Sequence, residues 1–393
     1  MESNAKNKQI HIDKEALCIL ELAQENLLQP VTGLMSQKEM LEVDQSGFYK
    51  NCSFPSSLIL SPSGKKNEEI ITSLQPQENV ELCIQDQSVG TLQVEEIFPI
   101  DKESRIKQIM GGNLGHPDIG RVYKRIGNYA VYGKYQVITS DITRNKAIIR
   151  DKIQELGARK ISGIFLNANP IHKVHEKILQ EALLRNDLLI IFLTRPHHTT
   201  WLLPYELRYK NVQCVIDNFL PSARVLLLPM DYTYLLSGTN RMILNAIICK
   251  NYGCTEFIAS LGSSNLSTFY EGDRTHTILD SIQGVEIAKH LVSEYIYCDT
   301  CNNIKSTKIC PHGTHHHISY DSRDFFELLK LGVMPPEVFI RKEVSASILA
   351  HLFPSQAKKL DKLYYDLISS KGIIEEGSDE NFYINLSRLY RVK

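Results

Sequence analysis

Between Gly163 and Ile178 the chain reads GIFLNANPIHKVHEKI, and two histidines, His172 and His175, stand three residues apart where an apolar run gives way to a helical pattern. Residues at that spacing share one face of a helix, so both imidazoles are expected in a first turn, pointing at whatever occupies the helix N-terminus. That end of a helix attracts anions, because its first N–H groups lack partners and the macrodipole is positive there. A phosphate held at such a place meets two further donors from the imidazoles. Nucleotidyl transfer asks for little more than donors fixed around a phosphorus as charge grows on its oxygens. Asn169 and Pro170 are expected to shape the turn ahead of the histidines.

A second cluster points to a metal. Cys298 and Cys301 form a Cys-x-x-Cys pair, Cys310 follows nine residues later, and His312 and the triplet His315, His316 and His317 come after it. Three thiolates and an imidazole make a tetrahedral donor set suited to Zn²⁺, and four protein ligands leave no open position for substrate, so the expected role is structural. Cys298, Cys301, Cys310 and His312 are the assigned ligands. His312 lies only two residues beyond Cys310, and His315 or His316 would reach more easily. A thioredoxin-like redox use is disfavoured, since no helical pattern opens at the second cysteine.

The elements that must position these groups follow from hydrophobic periodicity. Up to about residue 140, short alternating runs such as VELCIQ and TLQVEEI are separated by SPSGKKNEE and DQSVG, which predicts strands and turns. From about 155, the apolar runs GIFL, LLIIFL, RVLLL and TEFIAS alternate with helical periods in HKVHEKILQEALL, PYELRYKNVQCVIDNF and NRMILNAIICKNYG. That alternation is the pattern of a parallel sheet wound with helices, whose ligands bind outside the carboxyl ends of the strands. VSASILAHLF adds one more helix, and the tail after it reads as a small packed appendix with a strand or two. With 393 residues and 43% hydrophobic content, two or three domains are expected. A net charge of −1 leaves no electrostatic footprint for bulk nucleic acid or a membrane surface. No apolar run has membrane-spanning length, the polar N-terminus lacks a signal-peptide h-region, and nine cysteines with no secretion signal read as reduced thiols in the cytoplasm.

The segment Leu166-Asn167-Ala168-Asn169-Pro170-Ile171-His172-Lys173-Val174-His175 resembles the Gln-Thr-Arg-Asn-Pro-x-His-x-x-His signature of the ATP sulfurylase (sulfate adenylyltransferase) family. LQPVTGLM from Leu28, His116-Pro117 in a Gly-rich turn, LPYELRYKNVQCVIDNF from Leu203, NAIICKNYGCTEFI from Asn245 and YCDTCNNIKSTKICPHG from Tyr297 are similar to further family stretches in the same order. The likeness covers roughly residues 15 to 350. It implies an α/β fold with three parts: a PUA-like β-rich N-terminal domain over 1–145, a Rossmann-like nucleotidyltransferase domain over 146–340 with a zinc knuckle at 298–317, and a small C-terminal part over 341–393. It also implies AMP transfer from Mg²⁺-bound ATP to sulfate, with His172, His175 and Asn169 in catalysis and Asn167, Asn169, His172 and His175 on the nucleotide. Zinc occurs in some members, and homo-oligomers are common among them.

Departures from the family fall on the acceptor side. Its sulfate-contacting Gln and Arg are Leu166 and Ala168 here, a second Arg falls at Leu261, and its Gly-Pro-Arg-Glu-Ala turn reads Gly238-Thr239-Asn240-Arg241-Met242. These changes leave open two further readings: a different, less charged acceptor facing an apolar patch of Leu166, Ala168 and Leu261, or a non-catalytic relative that binds nucleotide or a partner. Lys173, Arg195 and Arg241 fall in segments that could restore the missing charge. His197 and His198, and the hydroxyl-rich run of Asn265, Ser267 and Thr268, are expected to be ordinary loop residues.

Overall fold

The computed structural model describes residues 8–112, 115, 119–197, 202–236, 240–260, 268–271, 274–277, 279–280, 282–292, 294–318, 320, 322–356, 358–359, 362 and 378–389. The chain packs as two compact units, one of Met1–Phe165, Thr194–His198 and Leu228–Leu291, the other of Leu166–Leu193, Thr199–Leu227 and Val292–Lys393.

The first unit opens with a five-stranded sheet made of β1 (Gln9–His11), β2 (Leu60–Pro62), β3 (Asn79–Ile84), β4 (Gln87–Pro99) and β5 (Ile126–Val137), in the order β1-β3-β4-β5-β2. β3 and β4 form a tight hairpin with Ile84 opposite Gln87, so the segment DQSVG, expected as a turn, is mostly strand. Helix α1 (Lys14–Gln24) is capped by Asp13, whose carboxylate accepts from the Ala16 N–H at 2.9 Å. Glu15, fully buried in its first turn, is held by Arg121 at 2.5 Å and Arg125 at 2.6 Å.

The second sheet contains β6 (Ile161–Leu166), β7 (Leu188–Arg195), β8 (Val225–Asp231), β9 (Glu256–Ser260) and β10 (Ala288–Val292), in the order β8-β7-β6-β9-β10. Taken in order of appearance that is 3-2-1-4-5, the strand order of a doubly wound sheet without its sixth strand. β6 and β9 run parallel, with Ser162, Gly163 and Ile164 opposite Glu256, Phe257 and Ile258. Leu188 to Leu193 are wholly buried, which is why this strand reads as an unbroken apolar run. Helices α3 (Lys173–Arg185), α4 (Tyr205–Phe219) and α5 (Arg241–Asn251) fall where the helical periods predicted them, and α2 (Ser140–Leu156), which no predicted period covered, precedes β6.

Gly163 lets β6 pass close to α5. A β-carbon there would stand 2.6 Å from the Cys249 sulfur and 2.8 Å from that of Cys254, both buried. Gly163→Val is therefore expected to destabilise the protein by about 1–3 kcal/mol through overpacking; an unchanged urea midpoint would show that the two thiols move aside freely.

In the second unit, a hairpin of β11 (Tyr295–Cys298) and β12 (Asn303–Ser306) pairs β11 on its other side with β13 (His317–Ile318), setting Cys298 opposite both Asn303 and His317. Helices α6 (Ser322–Lys330), α7 (Lys342–Leu352) and α8 (Asp379–Leu389) follow. The described part of the tail is a helix packed on α7, not the expected strand or two. Tyr383 is buried in that packing, and Asp379 and Glu380 sit in the first turn, where acidic groups suit the dipole. No helix among the described residues is long and apolar enough to cross a membrane.

Candidate active site and metal centre

The loop from Asn167 to His172 leaves the carboxyl end of β6, where an open α/β sheet places its ligands. Ala168 is held in the left-handed region, with φ 50°, and is 2% exposed. Two contacts from the start of α4 fix this turn. The Arg208 guanidinium donates from Nη1 to the Asn167 carbonyl at 2.6 Å and to its side-chain oxygen at 3.0 Å, while Nε donates to the Leu203 carbonyl at 3.1 Å. The Leu203 N–H in turn donates to Asn169 Oδ1 at 2.9 Å. Asn169 is thus buried and its oxygen is committed to the loop, so what it can offer a ligand is its amide NH₂.

The two histidines are brought together, but not both within the helix. His172 is the capping residue, with extended backbone at φ −143° and ψ 176°, and α3 begins at Lys173. The earlier expectation of two rings on the first turn fails because Pro170 and the loop carry an extended chain up to His172. The rings nevertheless lie 3.9 Å apart between centroids, because the His172 N–H donates to His175 Nδ1 at 3.2 Å. That bond decides a tautomer: a neutral His175 accepting at Nδ1 carries its proton on Nε2. His172 is 8% exposed, pairs through Nε2 with the Ser322 hydroxyl at 2.9 Å, and sets its ring edge-on to Tyr320 and Phe325. Its Nδ1 is buried without a hydrogen-bond partner.

Burial keeps both imidazoles neutral. It pushes His175 down to about 4, and burial followed by the proximity of His175 holds His172 well below its usual 6.5. An unfolded histidine takes its proton near 6.5, so between that pH and about 4 the unfolded chain binds more protons than the folded one. Stability contributed by His175 is complete above pH 6.5 and falls as pH drops toward 4, by about 1–3 kcal/mol after allowing for its partial exposure. Urea midpoints at pH 7 and pH 4.5 should show this loss in the wild type and a smaller one in His175→Asn; equal losses would remove the histidine from the acid response.

The first turn of α3 is set from far along the chain. Buried Glu176 receives Lys173 at 3.4 Å and two Arg341 contacts at 3.0 and 2.9 Å, and Arg341 lies 3.5 Å over the Phe219 ring. The Lys173 N–H donates to the Phe339 carbonyl at 2.8 Å.

Of the cations expected to restore charge, Lys173 is engaged by Glu176, and Arg195 by Asp231 at 2.5 Å and Asp141 at 2.9 Å. Arg241 has no ion-pair or hydrogen-bond partner among the described residues. His197 lies 3.5 Å from Asp231. Asn240 donates to the Gln108 carbonyl at 2.8 Å. His116, Pro117, His198, Gly238, Thr239, Leu261, Asn265 and Ser267 lie outside the described residues, as does the side chain of Thr268. Leu166 is 5% exposed and Ala168 is buried, so these two side chains pack inward and do not form the apolar acceptor patch expected of them.

Cys298, Cys301, Cys310 and His312 offer ligand atoms that all lie within 4.8 Å of one another. The three sulfurs stand 3.4, 3.3 and 3.8 Å from His312 Nδ1. A tetrahedral Zn²⁺ with usual bond lengths needs sulfur–nitrogen edges of about 3.6 Å, so the set fits that ion. Reach along the chain had favoured His315 or His316, but His316 Nδ1 contacts Asp299 at 2.7 Å and His312 is the imidazole at the thiols.

Arg208, Ser322, Glu176 and Arg341 were not singled out from sequence. None belongs to a short motif, and only for Arg208 was there a signal, a lone cation on an inward-facing helical position.

A model of the ATP-sulfurylase family matches residues 140–351, and one of a PUA-like domain matches residues 1–140. The sulfate adenylyltransferase of Chloroflexus aurantiacus is 28% identical over 355 residues, covering 87% of this chain and 90% of that protein. That of Halothermothrix orenii is 29% identical over 274 residues, covering 67% of this chain and 71% of that protein. Among solved structures, the hexameric APS kinase from Thiobacillus denitrificans aligns with a TM-score of 0.65 at 16% identity, covering 97% of this chain and 74% of that one, a likeness of fold.

Proposed function

Because the chain belongs to the ATP-sulfurylase family, we propose that it is a sulfate adenylyltransferase, a cytoplasmic enzyme that moves AMP from Mg²⁺-bound ATP to sulfate, giving adenosine 5′-phosphosulfate and pyrophosphate. A sulfate oxygen forms a bond to the α-phosphorus, and the bond from that phosphorus to the bridging oxygen of the β-phosphate breaks. The observation that carries this reading is the pair of adjacent, neutral imidazoles at the start of α3. His175 donates from Nε2, and His172 has at Nδ1 a buried position that its own surroundings do not satisfy. Neutral rings cost little to bury in the free enzyme. A neutral ring still donates, and an arriving polyphosphate oxygen can accept from the Nε2–H of His175 and from His172 protonated at Nδ1. The first N–H groups of α3 add to the same field. Asn167 and Asn169 shape the nucleotide side of the loop, with Arg208 behind them.

Cys298, Cys301, Cys310 and His312 would hold a structural Zn²⁺, which supplies cross-linking of the β11–β13 sheet and no open ligand position. The same reading divides the chain at about 145 and 340 and includes assembly into a homo-oligomer. The deciding experiment is exchange of ³²P-pyrophosphate into ATP with Mg²⁺, with and without sulfate. Exchange that requires sulfate is expected; exchange with another acceptor alone, or none despite ATP binding, would overturn the reaction named here.

A further inference from the structure

Arg105, the other buried arginine among the described residues, and the half-buried Arg125 are matched by carboxylates. Arg105 is paired with Asp44 at 3.4 Å, and Arg125 with Glu15 and Asp13. Arg208 is the exception. It is 2% exposed, yet no carboxylate lies within ion-pair distance of it among the described residues. Its acceptors are the Leu203 and Asn167 carbonyls and the Asn167 side chain, all neutral. A cation so placed lacks the counter-charge that normally makes burial tolerable, and burial pushes its pKa down to about 10. The fork is also only partly used: Nε and Nη1 are held, whereas Nη2 has no partner among the described residues and is not sealed from solvent.

Its location gives this incomplete pairing a meaning. Arg208 grips Asn167, the residue between Leu166 and Ala168, and these two flanking positions have lost the Gln and Arg that contact sulfate in the resembling family. We propose that Arg208 is the cation that receives the anionic acceptor, binding a tetrahedral oxyanion through Nη2 beside the Asn167–Ala168 turn in place of the charge absent at position 168. Two arms fixed by carbonyls aim the third, which a lysine ammonium cannot reproduce. This rests on the reading of the chain as a sulfate adenylyltransferase, and it adds the residue by which the acceptor is recognised.

The test compares the wild type with Arg208→Gln and Arg208→Lys in two assays. One is pyrophosphate exchange with sulfate and ATP varied separately; the other is thermal stabilisation by sulfate in the presence of α,β-methylene-ATP. In Arg208→Gln the KM for sulfate is expected to rise about 100-fold, with the KM for ATP within twofold and the stabilisation by sulfate lost. Arg208→Lys should fall between, and if the Gln variant does not fold, a selective rise in sulfate KM in the Lys variant decides. An unchanged sulfate KM, or sulfate and ATP KM rising together with a lowered melting temperature, would overturn the proposal and leave Arg208 as a brace for the loop. A wild type stabilised by sulfate through Arg208 but inactive in exchange would support Arg208 and overturn the reaction instead. Sulfate-dependent exchange indifferent to Arg208 would do the reverse.

Discussion

His172→Asn is expected to lower sulfate-dependent pyrophosphate exchange by at least about 10²- to 10³-fold, the usual consequence of losing one donor aimed at transition-state charge. Asparagine can keep one hydrogen bond, for instance to Ser322, but it cannot hold both that contact and the buried Nδ1 position of a ring whose centroid lies 3.9 Å from that of His175. The ring also packs edge-on against Tyr320 and Phe325, so part of the effect would come through lost order. A urea midpoint for each variant and Ser322→Ala as a control separate the two causes. If chemistry dominates, kcat falls while the KM for ATP and the midpoint move little. His175→Asn should behave similarly, and the double variant should lose less than the product of the two, because the rings act as a unit. Exchange within tenfold of the wild type in His172→Asn would remove the imidazole from the mechanism.

The second large effect is expected from metal removal. One equivalent of zinc per chain should be found by elemental analysis, and stripping it should lower the melting temperature by about 10 °C or more, since the free energy of a structural zinc site is folding free energy. The cluster joins the end of β11 to the turn before β13, and β13 has only two residues of pairing to hold it otherwise. Cys298→Ser and Cys310→Ser should reproduce the loss, and His315→Ala should not, as His312 is the imidazole among the thiols. Because the four ligands close the coordination sphere, substrate KM values in the fraction that stays folded should not change. Identical melting profiles with and without metal would mean that the β-hairpin orders the cysteines unaided.

Much of the catalytic sheet could be read in advance because its signals are local. Leu188 to Leu193 are apolar without a break because both faces of that strand are covered, and the helices between strands repeat their apolar positions at helical spacing. The His-x-x-His pair was equally visible. What remained hidden depends on contacts distant in sequence. Nothing local tells that Arg208 turns toward Asn167, or that His172 stops one residue short of the helix. That His312, and not His315 or His316, stands among the thiols follows from the turn after Cys310, which spacing alone measures poorly. In the tail, Phe382, Tyr383 and Ile384 individually favour strands, yet packing of Tyr383 on α7 and the acidic first turn make a helix of it.

The ion pair at the head of α3 has a consequence in time. Glu176 and Arg341 are 165 residues apart in the chain, and at a ribosomal rate of about 5–20 residues per second the start of α3 is synthesised roughly 8–33 seconds before the Arg341 that sets it. The first turn of α3 is thus among the last parts of the protein to acquire its geometry. A nascent chain stalled before Arg341 would display both histidines and the completed strands beneath them, with the buried carboxylate of Glu176 still waiting for its second cation.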